Sequence, residues 1–302
     1  MAFLEKYLVF REIRFVQRII AAVLIIAEVL GALLFSYPLT PRGQKIDLGA
    51  WEIVWADEFD GDQLDPAKWR AAGDGMRRGG YWDANNAIVK DGYLYLRTDY
   101  QENGRFGPGW YSGAIQTEGR YDKVFGYFEC RAICPGAAGL WGAFWTFSHG
   151  VGTIDGSGAD GSEIDIMESP FYAHPKKKMH NSVTNAIHFD GYGPEHQSVL
   201  LGAFNAVNPY TEFNTYGLEW NEDECIFYIN GVETDRVGGK YVSQVKEWLL
   251  LTVEVGGSNA VPGANEAGVV EIGGNGIITD NPGVSFPVDM VVDYVRVYDR
   301  RG

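Results

Sequence analysis

The stretch GSEIDIMES, residues 161–169, alternates acidic and aliphatic side chains and then breaks step. Read as a β-strand, it sends Glu163 and Asp165 to one face and Ile164 and Ile166 to the other, since successive side chains of an extended chain take opposite sides. Strict alternation would place Glu168 with the isoleucines. One β-bulge near Met167 adds a residue and returns Glu168 to the face of Glu163 and Asp165. The two glutamate Cα atoms then lie about 13 Å apart, and on a concave strand their carboxyl groups can lean to within about 5 Å of each other. Three carboxylates on one face cannot all ionise freely, so at least one is expected to hold its proton near neutral pH. No Lys or Arg lies within 154–175 to relieve the charge.

Three uses fit that pattern. Alternating acids can form the solvated face of a strand, and oxygen ligands suit a hard divalent cation such as calcium. A pair of glutamates can also cleave a glycosidic bond, one attacking the anomeric carbon while the other protonates the leaving oxygen and then activates water. Spacing alone leaves all three open.

The surrounding chain supplies the frame. VKDGYLYLRT (89–98) carries an Asp-Gly turn followed by Tyr93, Tyr95 and Arg97 alternating with Leu94, Leu96 and Thr98. VFGYFECRAI (124–133) sets Phe128, Cys130 and Ala132 against Tyr127, Glu129 and Arg131, and CIFYINGVETDR (225–236) holds an Asn-Gly hairpin turn. VDMVVDYVRVYD (288–299) ends the chain with period two. Helical periodicity is nearly absent after residue 40; DPAKW and YVSQVKEW suggest a turn or two. Loops are expected at 100–111, 149–161, 191–212 and 256–287. The class expected is all-β, a β-sandwich of two antiparallel sheets.

With 9 Trp, 17 Tyr and 39 Gly in 302 residues, the chain suits many short strands, glycine turns and aromatic surfaces. Formal charge is −15; residues 1–40 hold four basic and three acidic residues, which leaves −16 on the remainder. That field disfavours nucleic acid and acidic membrane surfaces, weakly disfavours a polyanionic substrate, and accepts a neutral polysaccharide. Cys130 and Cys134, four apart on one strand, would sit about 13 Å apart, too far for a disulfide. They and Cys225 read as small buried hydrophobes.

Residues 1–40 read as a membrane anchor or signal segment. Arg11, Arg14 and Arg18 precede the apolar run Ile19–Tyr37, a hydrophobic helix approaching the roughly 30 Å of a bilayer core. Glu28 in mid-run would cost about 3 kcal/mol there. A cleaved signal peptide and an amphipathic helix packed on the domain are the alternatives. Residues 41–50 read as a linker and 51–302 as the catalytic domain, extracellular, either membrane-anchored or secreted.

The segment EIDIME resembles the E-x-D-x-x-E signature of glycoside hydrolase family 16, in the bulged form found in laminarinases, agarases and carrageenases; the non-bulged E-x-D-x-E of bacterial lichenases is not what stands here. WADEFDGDQLDPAKW, YSGAIQTEGRYDKVFGYFECRAICPGAAGLWGAFWTF, FNTYGLEWNEDECIFYINGVETDR and VDYVRVYD follow the family's order, so the resemblance covers roughly 50–302. It implies a jelly roll whose active strand lines a concave cleft. Glu163 would be the nucleophile, Asp165 its assistant and Glu168 the acid/base, with no cofactor required. Trp141 and Trp145 match the aromatic pair of the family's G-L-W-x-A-F-W run, and pyranose C–H faces pack on indole. His188 resembles the histidine near the leaving-group side, while Trp82 and Asn85 resemble the loop touching the non-reducing side. Where relatives read L-N-x-A-V-G-G this chain has LTVEVGG, which puts Glu254 in a strand facing either the cleft or solvent. Glu58 and Asp293 match a structural calcium site of several members, and charge pairing at the sandwich edge explains them equally well. The expected activity is a retaining endo-glycosidase on β-linked polysaccharide, β-1,3-glucan first, acting as a monomer. An endo-β-galactosidase and a non-catalytic β-glucan-binding module are the alternatives.

Overall fold

The computed structural model describes residues 38–172, 174, 177–256, 278 and 281–302. The N-terminal hydrophobic helix and most of the glycine-rich loop at 256–287 lie outside the described residues; among those described, no helix is long and apolar enough to cross a membrane. The strands, in chain order, are β1 (Trp51–Asp57), β2 (Arg70–Ala71), β3 (Gly75–Arg77), β4 (Gly80–Trp82), β5 (Ala87–Lys90), β6 (Tyr93–Gln101), β7 (Gly109–Ser112), β8 (Ala114–Gln116) and β9 (Gly126–Ile133). There follow β10 (Leu140–Phe147), β11 (Glu163–Glu168), β12 (Ser182–Phe189), β13 (Gln197–Asn205), β14 (Asn214–Trp220), β15 (Glu224–Ile229), β16 (Val232–Gly238), β17 (Trp248–Val255) and β18 (Val288–Arg300).

They form two sheets. Seven strands run in the order β13-β12-β11-β10-β17-β8-β2, and eleven centre on β16-β15-β14-β9-β18-β6-β7-β4-β3. The result is the two-layer jelly roll. Pairing is antiparallel apart from β4 with β7, which is parallel. The Asp91-Gly92 and Asn230-Gly231 turns both take positive φ at both positions, the backbone whose twist matches a two-residue hairpin. Alternation then sorts the faces: Phe128, Cys130 and Ala132 of β9 enter the core between the sheets, while Tyr127 joins Trp51, Tyr228 and Tyr298 in an outer aromatic cluster. All three cysteines are buried and free.

Two expectations change. A nine-residue strand, β13, occupies much of the expected loop at 191–212; it is an edge strand with exposed Leu200, so its apolar pattern is incomplete. The expected linker is also no free tether. Leu39 exchanges backbone bonds with Ala203 and Asn205 at β13, while Gly43, Gln44 and Ile46 bond Glu233 and Gly231 at β16. This strap lies along the terminal strand of each sheet, and Ile46 and Ala50 cap the outer aromatic cluster.

Candidate active site

The carboxylate strand is bulged as its spacing requires. Against β10, Asp165 faces Trp145 and Met167 faces Phe144, so Ile166 is the extra residue. Against β12, two residues, Ile166 and Met167, oppose Asn185 alone. The displaced carbonyl is not orphaned: Asn185 Nδ2 donates to Ile166 O at 2.5 Å. Ile164, Ile166 and Met167 are buried in the core, which anchors the strand from behind. Its start is held by buried Glu247, which accepts from Ser162 N at 3.0 Å, Ser162 Oγ at 2.8 Å and Thr146 Oγ1 at 2.5 Å.

Glu163, Asp165 and Glu168 therefore line one cleft on the seven-stranded sheet, together with Trp141, Trp145, His188 and Glu254. This lobe encloses about 220 Å³ and opens into a second of about 470 Å³, walled by Trp82, Phe147, His149 and Trp248. Arg77, Arg78, Trp145, Glu163 and Tyr192 border both. Register explains the floor: Trp141 pairs with Glu254, Ala143 with Thr252 and Trp145 with Leu250 across β10 and β17, and Trp145 Nε1 donates to Thr252 Oγ1 at 3.1 Å. Trp141 and Trp145 are half-buried, each showing ring surface to the cleft.

Burial separates the carboxyls electrostatically. Glu168 is pushed well above the ordinary carboxylate range, first by desolvation and then by the charge of Asp165. Asp165 is raised likewise, by desolvation and then by Glu163. His188 Nε2 stands 3.3 Å from Asp165 Oδ2, and Thr184 Oγ1 is 3.4 Å from Glu168 Oε2. Such a face sets half-buried Glu163 beside a Glu168 that desolvation makes hold its proton more tightly, the arrangement that general-acid chemistry needs.

Some of the wall was not foreseen from sequence. The loop after β12 brings Tyr192 over the strand, its hydroxyl donating to Glu163 Oε2, and His196 stacks on His188 at 5.1 Å. Buried Asp190 fixes the loop, accepting from Asp155 N, Gly156 N and Gln197 Nε2. Arg77 and Arg78 reach Glu254 from the β3–β4 hairpin. Only the unfamiliar AIHFDGYGPEHQS and LTVEVGG stretches hinted at these contacts.

The remaining expected residues scatter. Trp82 is buried on the larger lobe, its indole N–H on Val253 O at 3.1 Å. Asn85 sits exposed in the following turn and lines neither lobe. Glu58 and Asp293 do not fit a calcium site: Arg296 grips both Glu58 oxygens at 2.8 Å, and Arg131 Nη1 donates to Asp293 Oδ2 at 2.5 Å. The Arg296 bonds hold Glu58 below the ordinary carboxylate range. Among the described residues, the carboxylates and histidine close enough to share an ion are Glu163, Asp165 and His188, with ligand atoms within 4.8 Å.

Known proteins share this architecture. The chain is 27% identical over 267 residues to a β-glucanase of Rhodothermus marinus, covering 82% of this chain and 85% of that one. A glucan endo-1,3-beta-glucosidase A1 of Niallia circulans is 26% identical over 284 residues, but the match spans only 38% of its length. The structure of an endo-beta-1,3-glucanase from Pyrococcus furiosus superposes with a TM-score of 0.65 at 24% identity, covering 87% of this chain and all of that one, a likeness of fold. The sequence model of glycosyl hydrolases family 16 matches residues 78–272, more than half of the chain and the whole carboxylate strand. The chain belongs to glycoside hydrolase family 16.

Proposed function

We propose that the protein is an endo-acting hydrolase of β-linked glucan, β-1,3-glucan first, working with retention of configuration. The observation that carries this reading is the bulge at Ile166, which brings Glu168 to the face of Glu163 and Asp165 in an open cleft. Glu163, which accepts from the Tyr192 hydroxyl, attacks the anomeric carbon. Glu168, whose hold on its proton desolvation strengthens, gives that proton to the leaving oxygen and then takes one from water. Asp165 lies between them and adjusts both. Trp141 and Trp145 offer platforms for pyranose faces, and His188 lies on the leaving-group side. The chemistry uses carboxylates alone. The relatives named as glucanases support the substrate, and an open cleft rather than a closed pocket supports internal cleavage. The apolar run at 19–37 with its basic flank supports placing the domain outside the cell, anchored or released.

Two experiments test the reading. Laminarin, mixed-linkage glucan, agarose and mucin glycans are incubated with the protein and the products sized; short laminarin oligomers with the β-anomer first formed are expected. Release from agarose or mucin glycans alone would transfer the assignment to a β-galactosidase. With an activated aryl glycoside, Glu168→Ala plus azide should give the β-glycosyl azide, and Glu163→Ala plus azide the α-azide. Exchange of these products between the variants would exchange the two roles.

A further inference from the structure

We infer that Arg77 and Arg78 form an oxyanion subsite in the cleft, taking a sulfate or carboxylate substituent borne by a sugar of the β-glycan. This deepens the hydrolase reading and rests on it for what enters the cleft.

The hairpin that carries the two arginines belongs to the larger sheet but is folded onto the smaller one. Gly79 N bonds Val255 O at 2.9 Å, and Trp82 Nε1 bonds Val253 O at 3.1 Å. Both arginines thereby stand over Glu254. Arg77 Nε meets Glu254 Oε1 at 2.7 Å and Arg78 Nε meets Oε2 at 3.2 Å, with the carboxylate 9% exposed and the guanidinium side chains 44% and 40% exposed. Each ring behind them adds support: Arg77 lies 4.7 Å over Trp82 and Arg78 5.7 Å over Trp141.

Arg77 is thus oriented by a hydrogen bond through its Nε and Arg78 by an ion pair alone, and among the described residues no hydrogen bond is made by either Nη pair. One buried carboxylate needs one cation. The second leaves the Arg77–Arg78–Glu254 group one positive charge in excess, facing Glu163 at the boundary of the two lobes, and the backbone turns sharply there. In the two-residue turn Arg78-Gly79, it is Arg78 that takes φ +50°. A left-handed backbone is strained at a non-glycine residue, and glycine stands next to it.

A planar guanidinium matches an oxyanion with two parallel N–H donors, a charge-assisted contact roughly twice as strong as a neutral one. Neighbouring sugar hydroxyls can also accept from both arms, but they bring no charge and gain no charge-assisted contact. The overall charge of −15 does not oppose this, because exposed charges are screened beyond about 8 Å at physiological ionic strength.

The test uses the full-length Glu163→Gln protein, which cannot turn substrate over, and calorimetric titration with matched hexasaccharides. The probes are neutral β-1,3-gluco-hexaose, the same chain O6-sulfated, the same chain oxidised to C6 carboxylates, and agaro-hexaose with and without sulfate. One charged probe is expected to bind at least tenfold more tightly than its neutral parent, and the ratio should shrink at 0.5 M NaCl. In the Arg77→Gln/Arg78→Gln/Glu254→Gln background, which leaves no buried carboxylate unpaired, the ratio should fall to about one. The sulfate and carboxylate arms identify the substituent. Neutral chains that bind while charged ones gain nothing, or a gain that survives the triple substitution in a folded protein, would overturn the subsite. Failure of every neutral chain to bind would instead overturn the hydrolase reading beneath it.

Discussion

Tyr192 is the side chain whose single bond reaches furthest into the chemistry. Its hydroxyl donates to Glu163, although the ring itself is more than half exposed, and burial with the charge of Glu163 raises the phenol so that it stays a donor. Hydrogen bonds to charged groups contribute roughly 1.5–3 kcal/mol. Tyr192→Phe keeps the ring and removes the donor, so kcat/KM on laminarin should fall by about ten- to a hundredfold, while the melting temperature falls by only a few degrees because the ring stays in place. Steady-state kinetics with a thermal melt decide it; wild-type kinetics in the variant would make the contact incidental. Tyr192 could not be read from the sequence, because nothing in DGYGPEH says which way the loop turns. That direction comes from Asp190, whose bonds to Asp155, Gly156 and Gln197 join three separate stretches.

At the scale of the element, the bulge was legible and its neighbours were not. Ile164 and Ile166 demand the core, Glu168 demands the cleft, and only an inserted residue satisfies both; the conflict sits within six residues. Arg77 and Glu254, by contrast, are 177 positions apart, and no local pattern connects them. Strand β13 escaped for another reason: an edge strand with one exposed face loses the apolar run that marks its neighbours. The bulge yields a prediction of its own. Deleting Ile166 turns EIDIME into EIDME, in which strict alternation already puts all three carboxylates on one face. Such a variant loses a buried side chain, a cost of roughly 2–5 kcal/mol, yet should fold and keep measurable hydrolysis. Deleting Ile166 and Met167 together aims the last glutamate at the core and should abolish it. Equal inactivity of the two in folded form, judged by circular dichroism, would count against the alternation argument.

Across the molecule, stability should depend on pH through carboxyls that folding removes from water. Burial raises Glu247 from 4.5 to about 7 against the donors that favour its charge, and Asp165 and Glu168 move in the same direction. The folded state therefore binds more protons than the unfolded one between about 4.5 and 7, and stability falls as pH rises through that window. For Glu247 alone the loss is on the order of 3 kcal/mol. The melting temperature should drop by roughly 5–10 °C from pH 5 to pH 8; scanning calorimetry that finds it flat or rising would contradict the burial account. The strap at 39–46 bears on a different property of the whole. Its five backbone bonds fall on β13, on β16 and on Gly231 just before it; these strands form one edge of each sheet, which would otherwise end in rows of unpaired N–H and C=O groups. Such rows recruit strands from other molecules. Chain starting at residue 47 should therefore scatter light increasingly with concentration, while chain starting at 38 stays clear, so that the first few residues of the domain act as its guard against polymerisation.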